Sequence, residues 1–306
     1  ILELGSEYIY TELYRQPNVL LNFRFINNAL FILKQELMQV ILIGEKINGA
    51  IPSVAKAIAT KDADFIRNLA VVQSEAGVDF LDVCASVDPA IEVETLKWLI
   101  DLVQEVSDVP IAIDSPNAKA IAEVIQYCKK PGLINSVSME GDKVETIFPI
   151  IADTKWECIA LLCDDTGIPQ TAAKRLEVFA AIMEKAKKYN IAPTRLHIDP
   201  LVQMLCTSED GILTIMEVMG EIKKQYPEVH ITGGASNISF NLPVRRLVNQ
   251  AFIVLAMSAG MDSAIVDPTK EDLMGMIFAT EALLGKDEYC IEYIGAYREG
   301  KFGQKK

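Results

Sequence analysis

The sequence predicts an α/β fold of the (β/α)8 TIM barrel class, on three observations. Short β-rich runs recur eight times, each is followed by a stretch of helical periodicity, and the runs are too apolar to leave one face in water. A parallel sheet covered by helices on its outer face satisfies all three, and closing that sheet on itself removes its edges. An open doubly wound sheet is the competing arrangement.

The runs lie at 40–44, 79–83, 110–114, 132–136, 157–162, 195–199, 229–234 and 263–267. Between them apolar residues fall at helical spacing, as at Leu96, Leu99, Ile100 and Val103, or at Leu176, Phe179, Ala180 and Met183. Punctuation agrees with these cuts. Asn117 after Pro116 opens one helix, Pro243 sits near the first turn of another, Gly260 follows its last apolar residue, and a final helix over about 270–284 is closed by Gly285. The barrel is therefore placed at 38–285. Residues 1–37 fall outside the repeat and form an N-terminal extension, either native or appended, in which 22–37 has the pattern of an amphipathic helix; Met38 is a candidate natural start. Residues 286–306, with Tyr289, Tyr293 and Tyr297 ahead of a basic end, read as a C-terminal tail that straps the barrel and ends loosely.

Composition narrows the function. The 306 residues are 50% hydrophobic and 23% charged, enough for a large core, and the formal net charge of −13 argues against nucleic acid, whose binding draws on Lys and Arg. No apolar run reaches the roughly 18 residues of a membrane span, so no membrane role is expected. The six cysteines (Cys84, Cys128, Cys158, Cys163, Cys206 and Cys290) include no CxxC pair, and no secretory leader is evident, which fits reduced thiols in a cytoplasmic protein. With only His197 and His230, both in apolar strand-like contexts, there is little material for a metal centre or a Ser-His-Asp triad.

Barrel chemistry is built at the C-terminal ends of the strands. Here those ends carry Glu45, Asn48, Asp82, Asp114, Ser115, Asn135, Ser136, Asp164, Asp165, Asp199, Ser236, Asn237 and Asp267. Any one of them reads equally well as a helix cap, Asp267, Asp164 and Asp165 best of all. The set Asp114, Asn135, Asp199 and Asn237 is different, because each ends an apolar run and should project into one mouth. Two carboxylates and two carboxamides with no basic clamp suit a planar heterocycle with an amidine-like edge better than a phosphate. The GGAS segment at 233–236 is too short for a dinucleotide fingerprint.

At these residues the chain resembles the pterin-binding barrel superfamily, and within it the methyltetrahydrofolate–corrinoid protein methyltransferases. The matching segments are IGEKING (43–49), FLDV (80–83), IDSPN (113–117), LINS (133–136), TGIP (166–169), IDPL (198–201), SNISFNLPVRRLVN (236–249) and GMDSAIVDP (260–268). The resemblance implies that Asp114, Asn135 and Asp199 hold the pterin ring and that Asn237 reaches N5 as the catalytic contact. It also implies methyl transfer between a methylated corrinoid protein and N5 of tetrahydrofolate. Folate is then the substrate, cobalamin arrives on the partner, the chain has no metal or cofactor of its own, and a homodimer is expected. One departure is visible: after FLD the family often shows Asn and then Gly, whereas this chain reads Val83, Cys84, Ala85, Ser86. Cys84 reads as packing rather than as a nucleophile, since no His neighbours it in sequence.

Three other functions are weighed. A dihydropteroate synthase-like enzyme needs basic residues at late strand ends, where Ser236 and Asn237 stand instead and Arg245 and Arg246 fall in a helix as a solvated or capping pair. Zinc-dependent thiol methylation lacks three mutually placed ligands. A non-catalytic folate-binding subunit would use the same mouth, and only an assay of methyl exchange separates it.

Overall fold

The computed structural model describes residues 39–303 apart from Glu209; the expected helix at 22–37 lies outside the described residues. Eight parallel strands, β1 (Ile41–Asn48), β2 (Phe80–Cys84), β3 (Ile111–Asp114), β4 (Leu133–Met139), β5 (Glu157–Asp164), β6 (Leu196–Asp199), β7 (His230–Ile231) and β8 (Ser263–Val266), run in the order β7-β6-β5-β4-β3-β2-β1-β8. The two outer strands meet, closing the barrel: Ile265 N donates to Gly233 O at 3.2 Å and Ala235 N to Ile265 O at 3.1 Å, around a parallel bridge between Gly234 and Ile265.

Alternation along the strands explains why both faces had to be apolar. Ile43, Phe80, Ala112, Leu133 and Ile159 point inward and form a separate buried cluster inside the barrel, with Ile41, Leu161 and Ile265 against it. Their neighbours Leu81, Val83, Ile113, Ile134, Cys158, Ala160 and Ile198 point outward into the larger core beneath the helices. That shell consists of α1 (Pro52–Thr60), α2 (Ala63–Glu75), α3 (Pro89–Val106), α4 (Ala118–Val124), α5 (Lys143–Ile151), α6 (Ala172–Lys188), α7 (Leu213–Gln225), α8 (Arg245–Ser258) and α9 (Glu271–Leu283), followed by α10 (Ile291–Arg298).

Asn117 caps α4 as expected, its Oδ1 accepting from Lys119 N at 3.1 Å. Asp267 and Asp164 do not cap helices. Asp267 accepts from Thr269 N and Asp164 from Thr166 N, each closing a turn two residues ahead, while Thr171 caps α6 and Lys270 precedes α9. The segment after 285, expected as a strap, is partly helical. It forms α10 and folds Phe302 back onto Tyr293 and Phe278, at ring separations of 4.9 and 5.8 Å.

Strand lengths also shift two expectations. β4 runs on to Met139, so Asn135 lies within the strand rather than at its end, and β7 stops at Ile231, leaving Asn237 in the loop beyond it. The cause of the second is Gly233 and Gly234, whose side-chain-free backbone leaves the ladder after bridging β8.

Candidate active site

Asp114, Asn135, Asp199 and Asn237 all belong to the C-terminal end of the barrel. Register makes three neighbours of Cys84, Asp114 and Asn135, side by side across β2, β3 and β4. Leu161 is aligned with Asp199 across β5 and β6, so a half-buried apolar side chain separates the two polar groups. Such an arc offers hydrogen-bonding edges on both sides and an apolar face between them, the distribution a flat polar ring requires.

Asp82, which the sequence placed at a strand end but not in the ring site, proves central. It is 2% exposed, and its Oδ1 accepts from Asn135 Nδ2 at 3.0 Å. That bond fixes the Asn135 amide, engages its nitrogen and leaves its oxygen available as an acceptor. Burial first, then the neighbouring Asp114 charge, push the Asp82 carboxyl well above the usual range. Asp114 beside it is raised to about 6, chiefly by burial. The signal available in the sequence was the pairing parity: Asp82 and Cys84 share one face of β2, the face on which Phe80 looks into the barrel.

Cys84 is buried, and burial followed by the Asp114 charge pushes its thiol far up, so no thiolate is available for attack. Its sulfur lies 3.3 Å from Ser86 Oγ. The packing reading of this cysteine agrees with that environment.

Asp199 is 8% exposed, and its Oδ1 accepts from Leu201 N at 2.7 Å. Burial raises it to about 6 against the opposing pull of backbone N–H groups and of Arg175. Across the mouth, Glu45 accepts from Ser236 Oγ at 2.6 Å and is likewise raised, mainly by burial. Ser115 is no ring contact: its hydroxyl donates to Glu92 at 2.6 Å beneath α3.

Asn237 stands on a turn in which its N donates to Gly234 O at 3.2 Å. A Cβ at Gly234 would lie 3.0 Å from Asn237 Nδ2, so glycine there leaves the amide its room. The side chain is exposed and has no hydrogen-bond partner among the described residues. Arg245 falls in a helix as expected, as the first residue of α8, but rather than standing in solvent it reaches back to the loop, donating to Ser236 O at 2.7 Å and Ser239 Oγ at 3.0 Å. Arg246 alone fits the solvated reading, paired with Asp272 at 3.4 Å where both are mostly exposed.

Among the described residues no group of three or more His, Cys, Asp or Glu is placed to hold a metal ion. The rim carries ion pairs, Lys46 to Asp267 at 3.0 Å and Lys143 to Glu140 at 2.8 Å; the interior carboxylates Asp82, Asp114 and Asp199 have no cation in salt-bridge contact among the described residues. What this mouth can do is accept N–H groups from a neutral or cationic ring edge.

Comparisons with known proteins agree with this geometry. Residues 44–267 match the family model described as pterin binding enzyme. A methylcorrinoid:tetrahydrofolate methyltransferase from Eubacterium limosum is 51% identical over 265 residues, covering 86% of this chain and 98% of that protein. A methionine synthase from Mycobacterium leprae is 30% identical over 245 residues, where 76% of this chain spans 20% of the relative. Among solved structures, a dihydropteroate synthase from Coxiella burnetii in complex with pteroic acid superposes with a TM-score of 0.59 at 15% identity, covering 81% of this chain and 95% of that one, and it shares the fold. The barrel, its mouth of buried carboxylates without cationic partners and the family match over 44–267 together place the chain in the pterin-binding enzyme family.

Proposed function

We propose that the chain is a methyltransferase that moves a methyl group between a methylated corrinoid protein and N5 of tetrahydrofolate. The observation that carries this reading is the mouth itself: buried acceptors short of donors lie below a free carboxamide. Its support from relatives is the Eubacterium limosum methylcorrinoid:tetrahydrofolate methyltransferase, which matches over nearly its whole length.

In this reading Asp199 and Asp114 accept the N–H groups of the pterin edge, Asn135 supplies an acceptor held in place by Asp82, and Leu161 lies against the ring face. The ring is thereby oriented with N5 toward Asn237. In the direction of folate methylation, the N5 lone pair attacks the methyl carbon, the carbon–cobalt bond breaks, its electron pair stays with cobalt as cobalt(I), and the N5 proton leaves to solvent. In reverse, N5 must be protonated to depart as a neutral amine. A carboxamide can donate to the lone pair or accept from the protonated nitrogen by rotating, and Asn237 is unencumbered enough to do so. Its contribution is a hydrogen bond that tracks the charge on N5, together with alignment of the reacting atoms.

Cobalamin is the partner's cargo in this proposal, and the protein is placed in the cytoplasm. Among the described residues no helix is long and apolar enough to cross a membrane. A homodimer is also proposed, supported by exposed Leu247 and Leu255 on α8 and Leu283 on α9, helices that pack together. The deciding experiment follows the cobalt spectrum of methylcobalamin with the protein, with and without tetrahydrofolate. Folate-dependent, enzyme-dependent conversion to cobalt(I) is expected; folate binding without acceleration would reduce the chain to a carrier subunit.

A further inference from the structure

Arg175 occupies an unfavourable place for a cation. It lies in the first turn of α6, its N bonded to Thr171 O at 3.1 Å, where the helix dipole presents positive charge. It is 3% exposed, and burial lowers its affinity for a proton. Its hydrogen bonding is also incomplete: Nη1 donates to Leu201 O at 3.3 Å, and the buried Nε has no partner among the described residues. A residue that breaks several local rules without repair nearby calls for a role beyond packing.

Leu201 supplies it. This residue has φ of 67°, in the left-handed region that non-glycine residues seldom enter. Both of its backbone polar groups are held: the carbonyl by Arg175 and the amide by Asp199 Oδ1 at 2.7 Å. The strained turn is thus pinned between the guanidinium and the carboxylate, so the position of one fixes the other. We infer that Arg175 is a positioning residue for the pterin-binding carboxylate, clamping the 199–201 turn so that Asp199 presents its carboxylate to the ligand. This deepens the proposed function and rests on its reading of Asp199 as a pterin contact.

The charges around the clamp are few. Arg175, from α6, is the ionic group acting on Asp199, and Asp210, from the loop that leads into α7, acts on Arg175. Removing the guanidinium therefore withdraws both a hydrogen bond and a positive charge that favours ionised Asp199.

The test is tetrahydrofolate affinity, measured by calorimetry from pH 5 to 8, in Arg175→Met, Arg175→Lys and Asp199→Asn. Arg175→Met keeps the aliphatic stem. It should bind about tenfold more weakly at pH 7, with the midpoint of the pH profile displaced upward. Arg175→Lys keeps the charge without the planar fork, and should retain the midpoint while losing about threefold to tenfold in affinity. A role in packing alone would lower the melting temperature without moving the midpoint, and that result overturns the inference. Should Arg175→Met not fold, Arg175→Lys decides: unchanged affinity in that variant overturns it. Asp199→Asn separates the two levels of the reading. If it weakens binding and the Arg175 variants do not, the clamp alone is wrong; if it leaves binding unchanged, the assignment of Asp199 falls and the clamp with it.

Discussion

At the floor of the barrel Asp262 accepts from Lys223 Nζ at 2.7 Å and Ile231 N at 2.8 Å, and faces His230 Nδ1 at 3.3 Å; at the mouth Asp199 accepts from backbone N–H groups and touches no cation. Burial raises both carboxyls. At the floor His230 and Lys223 outweigh it and hold Asp262 down at about 2, whereas Asp199 and Asp114 at the mouth stand at about 6. Glu281, also at the floor, shows that a single backbone donor is not enough: it accepts from Val40 N at 2.6 Å and burial still lifts it to about 7. The difference teaches that cationic partners, not depth of burial or a single backbone donor, decide whether a buried acid is held down, and that the mouth acids stand without them where a ligand can enter.

The most severe break in this contrast is expected at Asn237. Asn237→Ala should lower turnover by about tenfold to a thousandfold, the range for one hydrogen bond made chiefly in the transition state, with a smaller change in folate affinity. Because the side chain is exposed and unpaired, its melting temperature should stay near that of the natural protein. Single-turnover rates and thermal melts on one preparation check both. A destabilised but fully active variant would make Asn237 structural.

Next come Asp114→Ala and Asp199→Ala, each weakening tetrahydrofolate binding by about 1–3 kcal/mol through loss of a charge-assisted acceptor. Unchanged calorimetric affinity in both would dismiss the assigned pose.

The comparison sharpens when one substitution is made at both ends. Asp262→Asn should destabilise the protein by about 2 kcal/mol at pH 7, since a carboxyl held at about 2 against an ordinary 3.8 contributes stability above the unfolded value. Asp199→Asn should do the reverse in ligand-free protein. Its carboxyl, raised to about 6 from 3.8, costs up to about 3 kcal/mol when ionised at pH 7, so removing the charge should raise the melting temperature by a few degrees. Melting curves moving in the same direction would refute the distinction between floor and mouth.

In pH, the sign follows from those shifts. Folate affinity should fall as pH drops through about 6, where Asp114 and Asp199 take up protons, while the cost of their ionisation to the ligand-free fold is relieved in the same window. The stability supplied by Asp262 persists there and is lost as pH falls below the ordinary 3.8 toward about 2. The smallest effect is expected of Arg246→Ala, within about 0.5 kcal/mol, because its pair with Asp272 is open to solvent.

The barrel was legible because apolar faces inside and outside impose long apolar runs, and eight of them read directly from 40–44 to 263–267. Strand ends were less so. β1 continues through Glu45 and Lys46 to Asn48, polar residues that a hydrophobicity pattern cuts off, and β7 stops at two glycines that still bond to β8. At the site, Asp114, Asn135, Asp199 and Asn237 were named from strand ends and resemblance. Asp82 and Arg175 were not drawn in, because their parts depend on neighbours remote in sequence: Asn135 for the one, Leu201 for the other. The reach of Arg245 was missed for a similar reason, since its bond to Ser236 needs the αL turn at Val244 to aim it.

The seam between β7 and β8 gives the molecule an uneven clock. From β1 to β6 the ladders run over several residues, but the seam rests on a few bonds around Gly233, Ala235 and Ile265, directly beneath the loop that carries Asn237. Local opening there breaks few hydrogen bonds, so the amides of Ala235 and Ile265 should exchange with deuterium well before those of Ile134 and Ala160. If the proposed pose holds, tetrahydrofolate bridges Asn237 to the far side of the mouth and should slow that exchange at the seam while leaving the β4–β5 rates unchanged. The loop that follows the reacting nitrogen would then be hung on the part of the barrel quickest to breathe, with the substrate itself as the stitch that closes it.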